Sequence, residues 1–229
     1  MNITDFPKLE SPFEREDVNG IYQCVPKLKP EFTWIFTDKC LAVDKLDGTN
    51  VSVVIQDNQI KNIYNRTSRI DLWKSGKWFY EGVRNSIENN NFNPNFCDDG
   101  QYFGELIGPK LQGNPYQLEE HRWVPFEYLK KNYYYKFWAD FIKEIPEEPC
   151  ESCTEAFTKI SDLFKGLWSI YKRQRGLKGG VTMETTFEDK NSMAAEGIVF
   201  YNTDSGSMCK LRRDMFGWYR GRKHGTEQS

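Results

Sequence analysis

Apolar and polar residues alternate along much of the chain, and a period of two predicts short strands. Residues 40–43 and 51–56 are β-rich and separated by a glycine-containing segment, and Asp57-Asn58 then turns the chain into 60–64, a predicted hairpin. Further strands are predicted at 102–107, 123–129, 181–187, 197–201 and 208–212. Two segments switch to helical spacing. One is 72–87; the other is 156–174, with Phe157, Ile160, Leu163, Phe164, Leu167 and Ile170 on one side. Strands dominate and short turns join them. This predicts an α+β fold of largely antiparallel sheets flanked by helices.

At 229 residues, 38% of them hydrophobic, the chain can bury a core without disulfide or metal staples, and it reads as a single domain over residues 1–229. No apolar run approaches the roughly 18 residues that a membrane helix needs. The N-terminal stretch MNITDFPKLESPFER is polar and mixed in charge, unlike a signal or transit peptide, so an intracellular, cytoplasmic protein is expected. Six cysteines without a secretory signal fit a reducing compartment. Cys150-Glu-Ser-Cys153 has the spacing of half a zinc site or of a redox motif, but no second pair completes it, and free thiols in a linker are the simpler reading.

The net charge of -2 argues against a nucleic-acid partner only on average. Residues 144–155 hold five Glu and no Lys or Arg, whereas residues 209–224 hold six basic residues against Asp214, interleaved with Phe216, Trp218 and Tyr219. Basic groups among aromatics suit phosphate contact with base stacking.

The segment Asp44-Lys45-Leu46-Asp47-Gly48-Thr49-Asn50 places a lysine at a strand end before Asp-Gly. A surface β-turn would explain the Asp-Gly. The alternative is a nucleophilic lysine, with a glycine that lets backbone approach a phosphate. Phe103-Gly104-Glu105-Leu106 sets one carboxylate among strand residues, and Glu196-Gly197-Ile198-Val199-Phe200 does so again beside a glycine. In Cys209-Lys210-Leu211-Arg212-Arg213 alternation projects Lys210 and Arg212 from one face.

In order and spacing these segments resemble the covalent nucleotidyltransferases, the superfamily of polynucleotide ligases and messenger-RNA capping enzymes. KLDGTN is most similar to the RNA ligase 2 family. Asn65-Arg66-Thr67 matches that family's second motif; Phe103 to Leu106, Glu196 to Phe200 and Lys210 to Arg212 match its third, fourth and fifth. The stretch GELIGPKLQGNPY and the strand-like Val124-Pro125-Phe126-Glu127 extend the likeness, which covers residues 41 to 213.

The resemblance implies a nucleotidyltransferase (ATP-grasp-like) domain and an ATP-dependent RNA ligase, an RNA repair activity that seals 3′-OH and 5′-phosphate ends through lysyl-AMP and RNA-adenylate intermediates. It implies Lys45 as nucleophile, Lys210 and Arg212 as phosphate clamp, and Glu196 as ligand of Mg2+ or Mn2+. Glu105 is implied at a ribose hydroxyl, Arg66 at sugar or phosphate, Phe126 stacked on adenine, the backbone of Asp44 at its exocyclic amine, and Asn50 at the phosphates. The fifth motif has Arg212 where lysine is often found, which keeps the charge and adds a bidentate grip. Only sixteen residues follow Arg213, so a minimal form without an OB or other C-terminal domain is expected. The partner implied is RNA, with ends or a nicked duplex as its form; no membrane partner is expected. A small DNA ligase or a capping guanylyltransferase would share the chemistry, and a non-catalytic nucleic-acid-binding module would share the fold.

Overall fold

The structure, a computed structural model, describes residues 2–74, 76–146, 152–174 and 194–221. In chain order its strands are β1 (Phe13–Val18), β2 (Ile21–Leu28), β3 (Cys40–Lys45), β4 (Thr49–Gln56), β5 (Gln59–Asn65), β6 (Ser68–Arg69), β7 (Gly100–Ile107), β8 (Arg122–Pro125), β9 (Gly197–Asn202) and β10 (Met208–Arg212). The helices are α1 (Lys77–Glu88), α2 (Phe126–Asn132), α3 (Trp138–Phe141), α4 (Thr154–Lys165) and α5 (Ile170–Gln174). The strand pairs are antiparallel, and the fold is α+β as the sequence predicts. Contacts divide the chain into two compact units: Leu46–Tyr133 with the leading residues up to Lys8, and Leu9–Lys45 with the described residues from Tyr134 onward.

The first unit is built on a five-stranded sheet in the order β6-β5-β4-β7-β8. Val51, Val53 and Ile55 of β4 point to one face and bury with Leu106, Trp123 and α1 residues Phe79 and Val83. Each such side chain fully buried contributes about 1.5–3 kcal/mol. The β4–β5 turn carries Asp57 and Asn58 at φ 51° and 58°, the left-handed pair that a tight hairpin requires. The indole of Trp123 crosses Gly104 to donate to the Val51 carbonyl at 3.0 Å. A Cβ on Gly104 would lie 2.6 Å from that indole nitrogen, so this glycine serves packing.

The second unit has the β1–β2 hairpin and a three-stranded sheet in the order β10-β9-β3. Ala42, Ile198, Phe200, Cys209 and Leu211 bury on one face, in a cluster with Trp138 and with Ala156, Ile160 and Phe164 of α4. Those three α4 positions are spaced by four, the spacing of one helical face.

Three predicted elements differ. The strand expected over 123–129 ends at Pro125, which pairs with Gly104, and Phe126 begins a helix instead. Proline ends the ladder because it has no N–H, and Glu, Leu and Lys then favour helix. The helix expected over 156–174 is two, because the backbone breaks at Gly166, whose N–H bonds the Leu163 carbonyl. The helix expected from 72 begins at Lys77, since the Asp71 carbonyl accepts from Lys74 and Gly76 in a turn ahead of it. The β1–β2 hairpin, turned by Asn19-Gly20 at φ 55° and 78°, has no counterpart among the predicted strands. The strand expected over 181–187 lies outside the described residues.

Candidate functional site

Strand register assembles the second unit's candidates. Lys45 is the last residue of β3 and pairs across the ladder with Gly197 of β9, which pairs on its other side with Arg212 of β10. Direct partners in antiparallel strands share a face. Lys45 and Arg212 therefore emerge on one face, with no side chain from Gly197 between them. The next row on that face is Val43, Val199 and Lys210. A Cβ at Gly197 would come within 2.8 Å of the Arg212 Cα, so the glycine is required by the backbone itself.

Glu196 precedes β9, and its carbonyl accepts the Arg213 N–H at 2.9 Å. Its carboxylate takes a hydrogen bond from Lys45 Nζ at 2.6 Å, with the Glu196 side chain 7% exposed and that of Lys45 20%. Arg212 Nε lies 3.0 Å from Asp214 Oδ1, an ion pair by distance, although both atoms are buried without hydrogen-bond geometry. The Lys210 amide donates to the Glu10 carbonyl at 2.8 Å. The face thus carries three cations, with Lys45 beside Glu196 and Arg212 beside Asp214.

Asp44 points to the opposite, core side and is 1% exposed. Its Oδ2 accepts from the Ser169 hydroxyl at 2.8 Å and the Tyr171 amide at 3.0 Å. Its Oδ1 lies 3.1 Å from the Tyr135 hydroxyl, which also lies 2.8 Å from the Trp168 carbonyl. Burial pushes the Asp44 carboxyl up to about 7, against the pull of these donors. The side chain is committed inward, which leaves only backbone for the contact expected of this residue. Ser169, Tyr135 and Tyr171 are absent from the motifs; the break between α4 and α5 brings two of them to Asp44, and Gly166 was its only sequence signal.

In the first unit, Asn50 of β4 and Glu105 of β7 are direct cross-strand partners, and Val124 of β8 completes the row. They share the sheet face opposite the core. The Asn50 Oδ1 is buried there without a hydrogen-bond partner, as is Asn62 Oδ1. Gly48 lies against β7, and a Cβ there would come 2.7 Å from Ile107 Cγ2 and 3.0 Å from Glu105 Cγ. Close packing on β7, not only backbone approach to a phosphate, therefore demands this glycine. The Asp47 amide donates to the buried Tyr116 hydroxyl at 2.7 Å, so GELIGPKLQGNPY holds the turn that follows Lys45.

Phe126 opens α2, half-buried, with the ring of Phe6 at 4.7 Å; Phe6 also meets Phe103 at 5.4 Å. Thr4 fixes the segment ahead of Phe6 by donating to Gln101 Oε1 at 3.0 Å and accepting from Gln101 Nε2 at 2.8 Å. Arg66 stands in the two-residue turn between β5 and β6 at φ 55°, with its nearest charge Asp5 at 3.9 Å on an exposed surface. A left-handed arginine is strained. The motifs include Phe126 and Arg66 but neither of the contacts from Asp5 and Phe6.

The basic and aromatic stretch from 209 is buried at Cys209, Leu211, Met215 and Phe216 and exposed at Arg220. Phe216 is 2% exposed, and the Trp218 indole donates to Ser161 at 2.9 Å while Arg213 lies over its ring at 5.5 Å. Phe216 is thus a core residue, whereas Trp218 and Tyr219 are half-buried; Arg222, Lys223 and His224 lie outside the described residues. Cys153 is a buried free thiol, and Cys150 lies outside the described residues. Among the described residues no cluster of three or more His, Cys, Asp or Glu could hold a metal ion. No helix among them is long and apolar enough to cross a membrane.

A model of the RNA ligase family matches residues 38–216. No curated protein matches the chain. Among solved structures, a Naegleria gruberi RNA ligase with PPi is similar at TM-score 0.46 and 16% identity, over 92% of this chain and 58% of that one. A variant of that ligase with ATP and Mn gives TM-score 0.46 and 16% identity, over 91% and 57% of the two chains. Another with AMP and Mn gives 0.43 and 17%, over 91% and 57%. The chain therefore spans less than two thirds of the length of these ligases.

Proposed function

Because the chain belongs to the RNA ligase family, we propose that it is an ATP-dependent RNA ligase joining a 3′-OH end to a 5′-phosphate. The observation that carries this reading is the row Lys45, Gly197, Arg212, with the Glu196 carboxylate 2.6 Å from the lysine amine. A nucleophile, a bare strip of backbone and a cation in one row suit attack on a phosphoryl group.

In the first step the Lys45 amine attacks the α-phosphorus of ATP. The N–P bond forms, the bond to pyrophosphate breaks, and the ammonium proton is released, giving lysyl-AMP. A 5′-phosphate oxygen of RNA then attacks that phosphorus and restores the lysine, leaving an RNA-adenylate. The 3′-OH finally attacks the 5′-phosphate and expels AMP. Lys210 and Arg212 offset negative charge on the phosphoryl oxygens.

Lys45 cannot attack while its amine is an ammonium bound to Glu196. Glu196 fits a hard divalent ion, because one carboxylate suffices where phosphates and water complete the shell. Magnesium, or manganese in its place, would supply charge neutralisation at the phosphates. A Glu196 carboxylate so engaged would no longer hold the Lys45 amine as an ammonium.

On the family resemblance, Glu105 holds a ribose hydroxyl, Asn50 the phosphates, Arg66 sugar or phosphate, and Phe126 the adenine, with the Asp44 backbone at its amine. The unpartnered Asn50 oxygen and the strained Arg66 backbone support a ligand role for both. We place the reaction in the cytoplasm, on the reducing setting that the cysteines suggest.

Incubation with α-labelled ATP and magnesium should add one AMP to the protein, and Lys45→Ala should abolish the adduct. An undiminished adduct in Lys45→Ala would refute the assignment. Label from GTP instead would indicate a capping activity, sealing of DNA ends alone a DNA ligase, and RNA binding with no adduct a non-catalytic module.

A further inference from the structure

We propose that Asp44 is a positioning residue for Lys45 and that it works as a neutral carboxylic acid, its proton directed to the Tyr135 hydroxyl oxygen. The positioning role rests on Lys45 being the nucleophile; the protonation state does not.

A tyrosine hydroxyl has one proton. The Tyr135 oxygen faces the Trp168 carbonyl at 2.8 Å, which can only accept, and Asp44 Oδ1 at 3.1 Å. Were Asp44 ionised, two acceptors would compete for one proton, and a buried pair of oxygens would be left without a hydrogen between them. With the proton on Asp44 Oδ1, the acid donates to Tyr135 and Tyr135 donates to Trp168. The carboxyl is otherwise served by donors: Oδ2 accepts from Ser169 and from the Tyr171 amide, and the Ile170 amide also bonds the carboxyl. Ser169 in turn accepts from the Lys172 amide at 3.3 Å. Each contact then has one donor and one acceptor.

The surroundings agree. Asp44 faces the core with Ile198 and Phe200 of β9, Cys209 and Leu211 of β10, and Tyr135. Cys209 is a thiol that burial pushes up, so it adds no charge at pH 7. Among the described residues Asp44 is the one carboxylate in the fully buried class, which contains no Lys or Arg. Lys45 and Glu196, paired to each other, are engaged on the far side of the strand. Burial is the largest influence on the carboxyl and carries it to about 7.

The consequence is mechanical. Asp44 ties the end of β3 to the segment 168–171 one residue before the nucleophile. An uncharged tie holds that strand end without setting a second buried anion beside the Lys45 and Glu196 pair.

The test uses the full chain. At pH 6 an infrared spectrum should show the C=O band of a protonated carboxyl that disappears in Asp44→Asn. The folded protein keeps this proton where the unfolded chain, with the carboxyl at its ordinary 3.8, has lost it. Stability from this group is therefore full below about pH 4 and declines toward about pH 7, and Asp44→Asn should lack that decline. Asp44→Ala should slow formation of the Lys45 adduct by ~10-fold, and Asp44→Asn, whose amide can donate to Tyr135, should recover most of that loss. Absence of the Asp44 band, or an asparagine as damaging as the alanine, would overturn the proposal. If no variant and no wild type forms an adduct, the ligase reading has failed, while the band and the pH slope still decide the state of Asp44.

Discussion

In the three-stranded sheet of the second unit, Lys45, Lys210 and Arg212 emerge from one face because ladder register leaves them no other place. The first unit treats its candidates unequally. Asn50 and Glu105 obey register on β4 and β7, but Phe126 stands at a helix start and Arg66 in a strained turn. The second unit's residues are fixed by backbone, with Lys45 and Arg212 also beside carboxylates. Phe126 and Arg66 are held by softer means: an aromatic contact from Phe6 and an exposed pair with Asp5. Damage in the second unit should slow adduct formation even at saturating ATP. Damage in the first should raise the ATP concentration required.

Glu196→Ala offers the hardest test. Its carboxylate accepts from Lys45 at 2.6 Å, so two outcomes oppose each other. If Glu196 serves the phosphates through a metal, the variant should lose ~100-fold in adduct rate at saturating ATP, as removal of one charge-stabilising group commonly does. If its role is only to hold the lysine, freeing the amine should leave the rate unchanged or faster, and the second unit would lose its catalytic carboxylate. A magnesium titration read by rapid quench separates the two.

Phe126→Ala should act differently. Base stacking on an aromatic ring contributes about 1–3 kcal/mol. The expected outcome is a rise of ~10-fold in the KM for ATP, with the saturated rate little altered. A fall in rate with unchanged KM would move Phe126 out of base binding and into support of the fold, where its contact with Phe6 would then be its whole role.

What the sequence made legible follows the same division. Strand alternation showed that Lys210 and Arg212 share a face, and the structure buries Cys209 and Leu211 on the other. The motifs spanned 41 to 213, and the family match spans 38–216. Pairing with Gly197, which brings Lys45 and Arg212 into one row, joins residues some 150 positions apart, and periodicity within a segment carries no such information. Pro125 hid the helix at Phe126, because the apolar run Trp123-Val124 continues a strand pattern until a missing N–H ends it. Asp44 was noticed for its neighbour. Its partners Ser169 and Tyr171 became visible only where Gly166 breaks a helix that apolar spacing alone would have continued. Among the aromatics after 213, composition does not distinguish Phe216, a core ring, from Trp218 and Tyr219, which are half-buried.

Arg66 gives the finest distinction. Its φ of 55° suits glycine, and its pair with Asp5 at 3.9 Å is exposed, a contact worth about 0–1 kcal/mol. A turn kept only for the fold would be better served by glycine. Arg66→Gly should therefore relieve strain and raise Tm by ~2–4 °C, the shift expected from about 1 kcal/mol in a protein of this size. If the side chain meets sugar or phosphate, the same variant should bind ATP about 3- to 10-fold more weakly, so that stability and affinity move in opposite directions. Arg66→Ala, which removes the side chain but keeps a strained Cβ, should show the weaker binding without the gain in Tm. A rise in Tm with unchanged ATP affinity in Arg66→Gly would leave Asn50, Glu105 and Phe126 as the first unit's nucleotide residues, and the arginine as a surface partner of Asp5.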